Sequence, residues 1–378
     1  MIPIERGIGS EFWLPSDIFF DENNSTLPSY YPQGELRYVT SGREAITYAI
    51  RSVNRGGTNR ALLPSYSCDT VIAPFVREGL EIEFYHVNNN LTLDLVDIEK
   101  RLRTPADYFL VIHYFGFPHP THELQEIKTL LGEGCLLEDT THSVFSRASG
   151  RPSGGLGDIS ISSLRKWFAV PDAAPVIFNN PEIHPENLSS PDNEHQRMFQ
   201  VRYDAYKIRH QFIETGKIRL REEATRLFGK GEELIDRIHG NPSKISSISE
   251  NLLQNLDVDA LIGRRRSNFQ ETLNYVNDLS TIQPFFSKLP SSVTPLGFPV
   301  ISEFRNQLRR YLIENKIYPP VHWELSNEII VNGFRDAVEL SNHILTLPID
   351  QRWATSHMEY IGHMLEQFDK EWKKNNDP

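Results

Sequence analysis

Cysteine, net positive charge and long apolar runs are scarce in this sequence. Its 378 residues include two cysteines, Cys68 and Cys135, which cannot build a disulfide framework. The formal net charge of −11 leaves no broad basic surface for a nucleic-acid backbone. No apolar run approaches the roughly 20 residues of a membrane-spanning helix. We therefore expect neither a nucleic-acid binder nor a membrane protein.

Several common catalytic and cofactor-binding motifs are also missing. The patterns GxSxG, GxxxxGK[ST], GxGxxG and HExxH do not occur. Serine hydrolase, P-loop, dinucleotide-binding and zinc-site interpretations lose their usual support, and we expect no metal. The opening MIPIERGIGSEFW lacks the basic and apolar blocks of a signal peptide. The expected setting is therefore reducing and cytoplasmic.

Short apolar runs of strand length, uninterrupted rather than alternating, lie in the first half of the chain. They cover 60–64, 81–87, 108–114, 135–138, 158–162 and 175–178. Helical stretches at 69–78, 94–102 and 122–131 separate them. Continuous apolar strands alternating with helices indicate an α/β domain whose largely parallel sheet is covered on both faces.

The chain length predicts two domains. We place a large α/β domain at 1–256 and a small α+β domain at 257–378. The charged stretch 181–245, with an apparent helix at 197–227, shows nothing typical of a cofactor site. A strongly helical segment follows at 246–279, and the remainder reads as the small domain.

The first candidate site is the turn Thr40-Ser41-Gly42-Arg43, between a short strand and a helix. A helix N-terminus offers free backbone N–H groups and a positive dipole end, which suit a phosphate. Ser41 and Glu44 also form a capping box, and on the residues alone helix capping is the more common explanation of this turn. The two roles are compatible.

An acidic pair, Glu138-Asp139, and Lys166 follow two neighbouring strand candidates. Ligands of open α/β sheets bind beyond the carboxyl ends of the strands, so one carboxylate should face a ligand there. A lysine that forms a Schiff base and a carboxylate that keeps a ring nitrogen protonated are what a pyridoxal cofactor needs. Singly, each residue is more commonly a turn residue or a solvated charge. His113, which closes another strand, either lines the same pocket or ends a buried aromatic strand.

The order of these motifs resembles the DegT/DnrJ/EryC1/StrS family of sugar aminotransferases, which depend on pyridoxal phosphate. The resemblance covers most of the chain. It includes a TSG-type turn, a PSY-type segment, an H-x-(Y/F)-G-x-P element, an E-D-x-x-(Q/H) segment and G-D-I before the lysine. The matching stretches are Thr40–Ala45, Pro64–Ser67, His113–Pro118, Glu138–His142, Gly157–Ile159 and Lys166, with Ile317–Trp323 similar to a small-domain stretch near the active site.

The resemblance implies a fold type I transferase with a mostly parallel seven-stranded sheet, and residue roles within it. Lys166 would hold the pyridoxal phosphate and shuttle the proton, and Asp139 would pair with the ring nitrogen. The other implied cofactor contacts are Ser41, Gly42, Arg43 and Ser163 at the phosphate and Tyr66, Cys68, His113 and His142 around the ring.

The implied reaction moves an amino group from glutamate to a keto sugar, presumed nucleotide-linked, for surface-glycan or secondary-metabolite biosynthesis. The implied assembly is a homodimer. Three alternatives stay open. They are a dehydratase variant, against which Lys166 argues, a catalytically inert binding relative of the same fold, and an enzyme acting on a non-sugar substrate.

The sequence departs from the family pattern in three places. The Gly157–Lys166 spacing is short, and 167–174 replaces a glycine-rich run. Cys68 stands where an aromatic residue often stacks on the ring, which leaves His142 or Tyr66 for stacking. No N-x-R segment is recognisable near 241–244, so we expect the phosphate to be held mostly within one subunit.

Overall fold

The computed structural model describes residues 2–14, 27–53, 57–238, 242–331 and 333–376. Asn241, at the place of the missing N-x-R segment, lies outside these ranges. The strands are β1 (Ile8–Gly9), β2 (Glu35–Val39), β3 (Arg60–Pro64), β4 (Glu81–Tyr85), β5 (Tyr108–Ile112), β6 (Cys135–Asp139), β7 (Arg147–Ala148), β8 (Arg151–Pro152), β9 (Ile159–Ile161), β10 (Ala174–Phe178), β11 (Gln283–Pro284), β12 (Phe298–Ile301), β13 (Ile317–Tyr318) and β14 (Ile344–Leu347). The α-helices are α1 (Gly42–Ser52), α2 (Asp69–Arg77), α3 (Leu95–Leu102), α4 (Thr121–Leu131), α5 (Asn193–Thr215), α6 (Ile218–Arg237), α7 (Ser247–Leu253), α8 (Val258–Val276), α9 (Arg305–Glu314), α10 (Asn327–Val331), α11 (Arg335–His343) and α12 (Thr355–Asn376).

Seven strands form one sheet in the order β2-β10-β9-β6-β5-β3-β4. The β9-β6-β5-β3-β4 run is parallel throughout, and β10 is antiparallel to both of its neighbours. Because β2 and β9 are both antiparallel to β10, they point the same way. The carboxyl ends of β2, β3, β5, β6 and β9 therefore meet at one edge. This confirms the predicted α/β class and the mostly parallel seven-stranded sheet.

The apolar runs form strands because they are buried on both faces. Every residue of β5, β6 and β10 is buried. Such strands read as continuous rather than alternating apolar stretches. The stretch 197–227 is helical as expected, apart from a break at Gly216, whose φ of 70° lies in the left-handed region that ends a helix. Helices α5 and α6 pack on each other.

The C-terminal part of the chain builds a second core around the antiparallel sheet β11-β12-β14. Helices α8, α9 and α12 supply much of it, including Phe269, Leu308 and Phe368. Helix α8 begins where we placed the domain boundary, and Asp257 caps it by accepting the Ala260 N–H at 2.9 Å. The boundary itself stays a prediction. Strand β1 pairs in parallel with β13, which ties the start of the described chain to this part. No helix within the described ranges is both long and apolar enough to cross a bilayer.

The loop after Lys166 is a packed apolar segment. The Trp167 ring is fully buried, lies edge-on to Phe145 at 4.9 Å and sits under the Arg265 guanidinium at 4.4 Å. The Trp167 indole N–H donates to the Thr141 carbonyl at 2.9 Å, and the Gln351 side-chain amide donates to the Trp167 backbone carbonyl at 2.6 Å. Trp167 thus anchors the backbone next to Lys166.

Replacing Trp167 by alanine should lower the free energy of unfolding by about 3–5 kcal/mol, because a large buried side chain leaves a cavity that relaxes only partly. Urea denaturation followed by circular dichroism measures this. Trp372→Ala, which removes a partly exposed indole on α12, is the matched control. Equal losses in the two variants would show that Trp167 is not the anchor we describe.

Candidate active site

A cleft of about 720 Å³ opens at the carboxyl edge of the large sheet. It contains eight of the ten residues implied for cofactor binding. They are Ser41, Gly42, Arg43, Cys68, Asp139, His142, Ser163 and Lys166. The strand order explains this grouping, because these residues follow or end β2, β3, β6 and β9, whose carboxyl ends lie together.

Lys166 and His142 form a hydrogen-bonded pair in the cleft, with 2.9 Å between Nζ and Nε2. The backbone N–H of Phe115 donates to Nδ1 of His142 at 3.4 Å. Because Nδ1 accepts, the neutral ring carries its proton on Nε2 and donates it to the lysine amine. Burial lowers the pKa of His142 and also lowers that of Lys166, which shifts both groups toward the neutral form that this hydrogen bond needs.

Asp139 and Glu138 are adjacent in β6, and their side chains have different partners. Strand side chains alternate between the two faces of a sheet. Asp139 lines the cleft and accepts the Thr141 N–H at 2.8 Å. Burial raises its pKa, partly offset by that hydrogen bond and by the charge of Lys166. A buried carboxylate whose charge is poorly compensated is well placed to pair with a cationic ring nitrogen.

The start of α1 forms the other end of the cleft. Ser41 caps the helix, because its Oγ accepts the Glu44 N–H at 3.3 Å. A Cβ added to Gly42 would lie 3.5 Å from the Cβ of Ser163, so the helix start and the residue after β9 adjoin. Arg43 pairs with Asp236 at 3.1 Å. Capping and an anion-binding position therefore coexist at this turn.

The cleft has one aromatic wall, which comes from the C-terminal part of the chain. The Trp323 ring stacks on His142 with 5.2 Å between ring centroids, and Lys166 Nζ lies 5.7 Å from the Trp323 centroid. Across the lining, Cys68 Sγ lies 2.9 Å from the Thr70 hydroxyl. Of the two candidates for stacking on the cofactor ring, His142 lines the cleft and stacks on the Trp323 ring.

Tyr66 and His113 are not among the residues that line this cleft. The Tyr66 hydroxyl donates to the His322 carbonyl, and its ring packs on Tyr114 and Trp323. His113 Nε2 lies 2.8 Å from the Glu138 carboxylate, while Nδ1 accepts the His119 N–H at 3.0 Å. Burial acts against the Glu138 charge, but the His113 hydrogen bond holds the pKa of that carboxyl below its usual range. Tyr66 and His113 thus contact residues around the cleft without lining it.

The lining also includes Arg165, Glu232 and Trp323. Glu232 lies on α6, within the charged stretch that showed nothing typical of a cofactor site, so that interpretation is wrong in this respect. No local pattern marks Glu232, because only the packing of α6 brings it to the cleft. Arg165 carried a weak signal, since it stands next to the candidate lysine.

The donor set fits pyridoxal phosphate. The cleft holds an amine able to form a Schiff base, a buried carboxylate, and a helix start beside Ser163. Arg165 adds a guanidinium whose buried Nε has no hydrogen-bond partner. These groups would hold the aldehyde, the ring nitrogen and the phosphate, respectively.

Capture of pyridoxal phosphate should begin at lower pH than for an ordinary lysine, because only the neutral Lys166 amine attacks the aldehyde. Burial brings the pKa of Lys166 below its usual 10.5. Below that pKa the capture rate should rise about tenfold per pH unit and then level off. Stopped-flow absorbance measures the profile, with Nα-acetyl-lysine amide as the reference amine. Coinciding profiles for protein and reference would contradict this.

Comparison with known proteins gives one family and many similar folds. Residues 26–205 match the DegT/DnrJ/EryC1/StrS aminotransferase family. No curated protein matches the sequence significantly. DesV from S. venezuelae, solved with a ketimine intermediate, is similar with a TM-score of 0.67 and 17% identity over 96% of this chain and 91% of that one. PseC from Helicobacter pylori, an aminotransferase of pseudoaminic acid biosynthesis, is similar with a TM-score of 0.67. The identity is 14% over 97% of this chain and 100% of that one.

A third similar structure is Spr1654 from Streptococcus pneumoniae, described as a sugar aminotransferase. Its apo form gives a TM-score of 0.69 and 12% identity over 97% of this chain and 98% of that one. At these identities the structural likeness establishes the fold, while the family match rests on the sequence. Over residues 26–205 this chain is thus similar to the DegT/DnrJ/EryC1/StrS aminotransferase family, and its fold is that of the aminotransferases named above.

Proposed function

We propose that the protein transfers an amino group from glutamate to a keto sugar carried on a nucleotide, using pyridoxal phosphate. The observation that carries the proposal is the shared cleft of Lys166 and Asp139, which end or follow the neighbouring strands β6 and β9. The family match and the sugar aminotransferases of similar fold support a sugar as acceptor. Glutamate and the nucleotide are the finer parts of the proposal.

Lys166 would hold the cofactor and then move the proton. Once displaced by the amino donor, its Nζ is a neutral amine that can take a proton from a substrate carbon and return it elsewhere. The His142 ring, whose Nε2 lies 2.9 Å from Nζ, would hold the amine in the cleft until the lysine turns to the substrate. The bound cofactor would supply an electron sink for the carbanion left when that proton departs.

Asp139 and the anion end have positioning and electrostatic roles. Asp139 would keep the ring nitrogen protonated, which also compensates the buried carboxylate. Ser41, Gly42, Arg43 and Ser163 would fix the phosphate at the start of α1. The contact of Asp139 with the ring nitrogen and the phosphate contacts at the start of α1 would together set which face of the cofactor ring meets Lys166.

The proposed assembly is a homodimer, and the proposed setting is the cytoplasm, in surface-glycan or secondary-metabolite biosynthesis. The two cysteines, both free, suit a reducing compartment. Analytical ultracentrifugation of the purified protein tests the dimer, since a single monomeric species at micromolar concentration contradicts it.

The visible absorption spectrum tests the function. The protein is mixed with pyridoxal phosphate, and glutamate is then added. A yellow band that converts to the amino form of the cofactor supports the first half of the reaction. No band in a folded protein would favour the inert, binding-only relative.

The acceptor is tested by mixing the amino form with candidate keto compounds. We expect a nucleotide-linked keto sugar to restore the yellow band faster than the same sugar without its nucleotide. Faster restoration by a simple keto acid would favour the non-sugar alternative. Comparing alanine and aspartate with glutamate tests the donor in the same assay.

A further inference from the structure

One nitrogen of the Arg165 guanidinium lacks a hydrogen-bond partner beside the cleft. The Arg165 side chain is 18% exposed, and its Nη2 donates to Glu232 Oε1 at 2.8 Å. Its Nε is buried and unpaired. A buried N–H group without a partner is costly, and an anion in the cleft would remove that cost.

Arg165 shares its carboxylate partner with a second guanidinium group. Glu232 Oε1 accepts from both Arg165 and Arg202, the latter at 2.6 Å. Arg43, on the same wall, pairs with Asp236, whose side chain is 60% exposed. Glu11 adds a third carboxylate whose charge acts on both Arg165 and Arg202. One oxygen of Glu232 therefore serves two guanidinium groups, and the Arg165 guanidinium keeps donors that an anion could use.

Arg165 is tied to the start of α1 through the short segment after β9. Ser163, two residues before it, adjoins Gly42. The first N–H groups of a helix have no partner within the helix and point out of its N-terminus. Arg165, Ser163 and the helix start all line the same cleft.

We propose that Arg165 binds the phosphate of the cofactor from within the same chain, and that Glu232 competes with the phosphate for this guanidinium. Two N–H groups of Arg165 can then meet phosphate oxygens, a geometry that a guanidinium offers and an ammonium does not. The inference rests on the proposed function, because it takes pyridoxal phosphate as the cofactor. It assigns the anion contact to Arg165, which the sequence motifs did not single out.

The test compares the dissociation constants of pyridoxal 5′-phosphate and of pyridoxal, which lacks the phosphate. In Arg165→Gln the affinity for pyridoxal phosphate should fall by about 10- to 100-fold, while that for pyridoxal stays within about twofold. The affinity of Arg165→Lys for pyridoxal phosphate should lie between those of the wild-type protein and Arg165→Gln. Arg51→Gln, on the outer end of α1 and paired with Glu78, is the control and should change neither constant.

Glu232→Gln separates anion binding from a structural role. Removing the competing carboxylate frees Arg165 for the phosphate, so the preference for pyridoxal phosphate over pyridoxal should rise. If the Arg165–Glu232 pair only stabilises the fold, both variants lose affinity for both compounds equally, and the inference is wrong. An unchanged preference in folded Arg165→Gln also overturns it while leaving the proposed function intact. A wild-type protein that binds neither compound overturns both.

Discussion

The Lys166→Ala variant is expected to lose amino transfer from glutamate by at least about 10³-fold. One side chain supplies both the covalent attachment and the general base, and general acid–base catalysis alone contributes about 10²- to 10⁴-fold. The cofactor should still bind without a covalent bond, because Asp139 and the anion end are unchanged. Single-turnover absorbance measures the conversion rate, and borohydride treatment followed by mass spectrometry shows the lost attachment.

Lys207→Ala is the matched control. This lysine lies on α5, its side chain is 49% exposed, and it pairs with Asp204 one turn away. The control should convert glutamate at the wild-type rate and keep the reducible attachment. A Lys166→Ala protein with near-normal turnover would move the chemistry away from this cleft.

The Asp139→Asn variant should keep the cofactor attached to Lys166 and yet react slowly. Asparagine preserves the shape and the Thr141 hydrogen bond but removes the charge that holds a proton on the ring nitrogen. Losing such a preorganised charge costs about 10²- to 10³-fold in rate. Half-reaction rates with glutamate measure the effect, and the yellow band checks that cofactor is present.

For Asp139 the control is Asp204→Asn, an exposed carboxylate on α5. A slow Asp139→Asn protein that has also lost its cofactor would indicate a binding role instead of the electronic one. Full activity with bound cofactor would remove Asp139 from the reaction altogether.

The sheet and much of the cleft were predictable because they depend on local patterns. Buried parallel strands such as β5 must be apolar on both faces, and the capping pair Ser41 and Glu44 marks the start of α1. Lys166 and Asp139 follow from the rule that ligands bind at the carboxyl ends of strands. This rule, together with the resemblance in motif order, predicts one site for both residues.

The remaining site residues depend on packing that no local pattern records. Glu232 reaches the cleft from α6, and Trp323 reaches it from the C-terminal part of the chain. His113 follows a strand at the correct edge, but its ring turns to Glu138, one residue from Asp139 on the opposite face of β6. Neighbouring residues of a strand point to opposite faces of the sheet. The sequence does not show which of the two carboxylates becomes the hydrogen-bond partner of His113.

The pairing of β1 with β13 connects the N-terminal segment to the part of the chain that forms the aromatic wall of the cleft. Ile8 and Gly9 are bonded to Ile317 and Tyr318, and the chain then runs on to Trp323, the aromatic wall of the cleft. The Trp323 carbonyl is also held by the Ser341 hydroxyl, at 2.5 Å. Any outward movement of the segment that carries Trp323 would strain this strand pair, so the pairing tethers one wall of the cleft to the N-terminal segment.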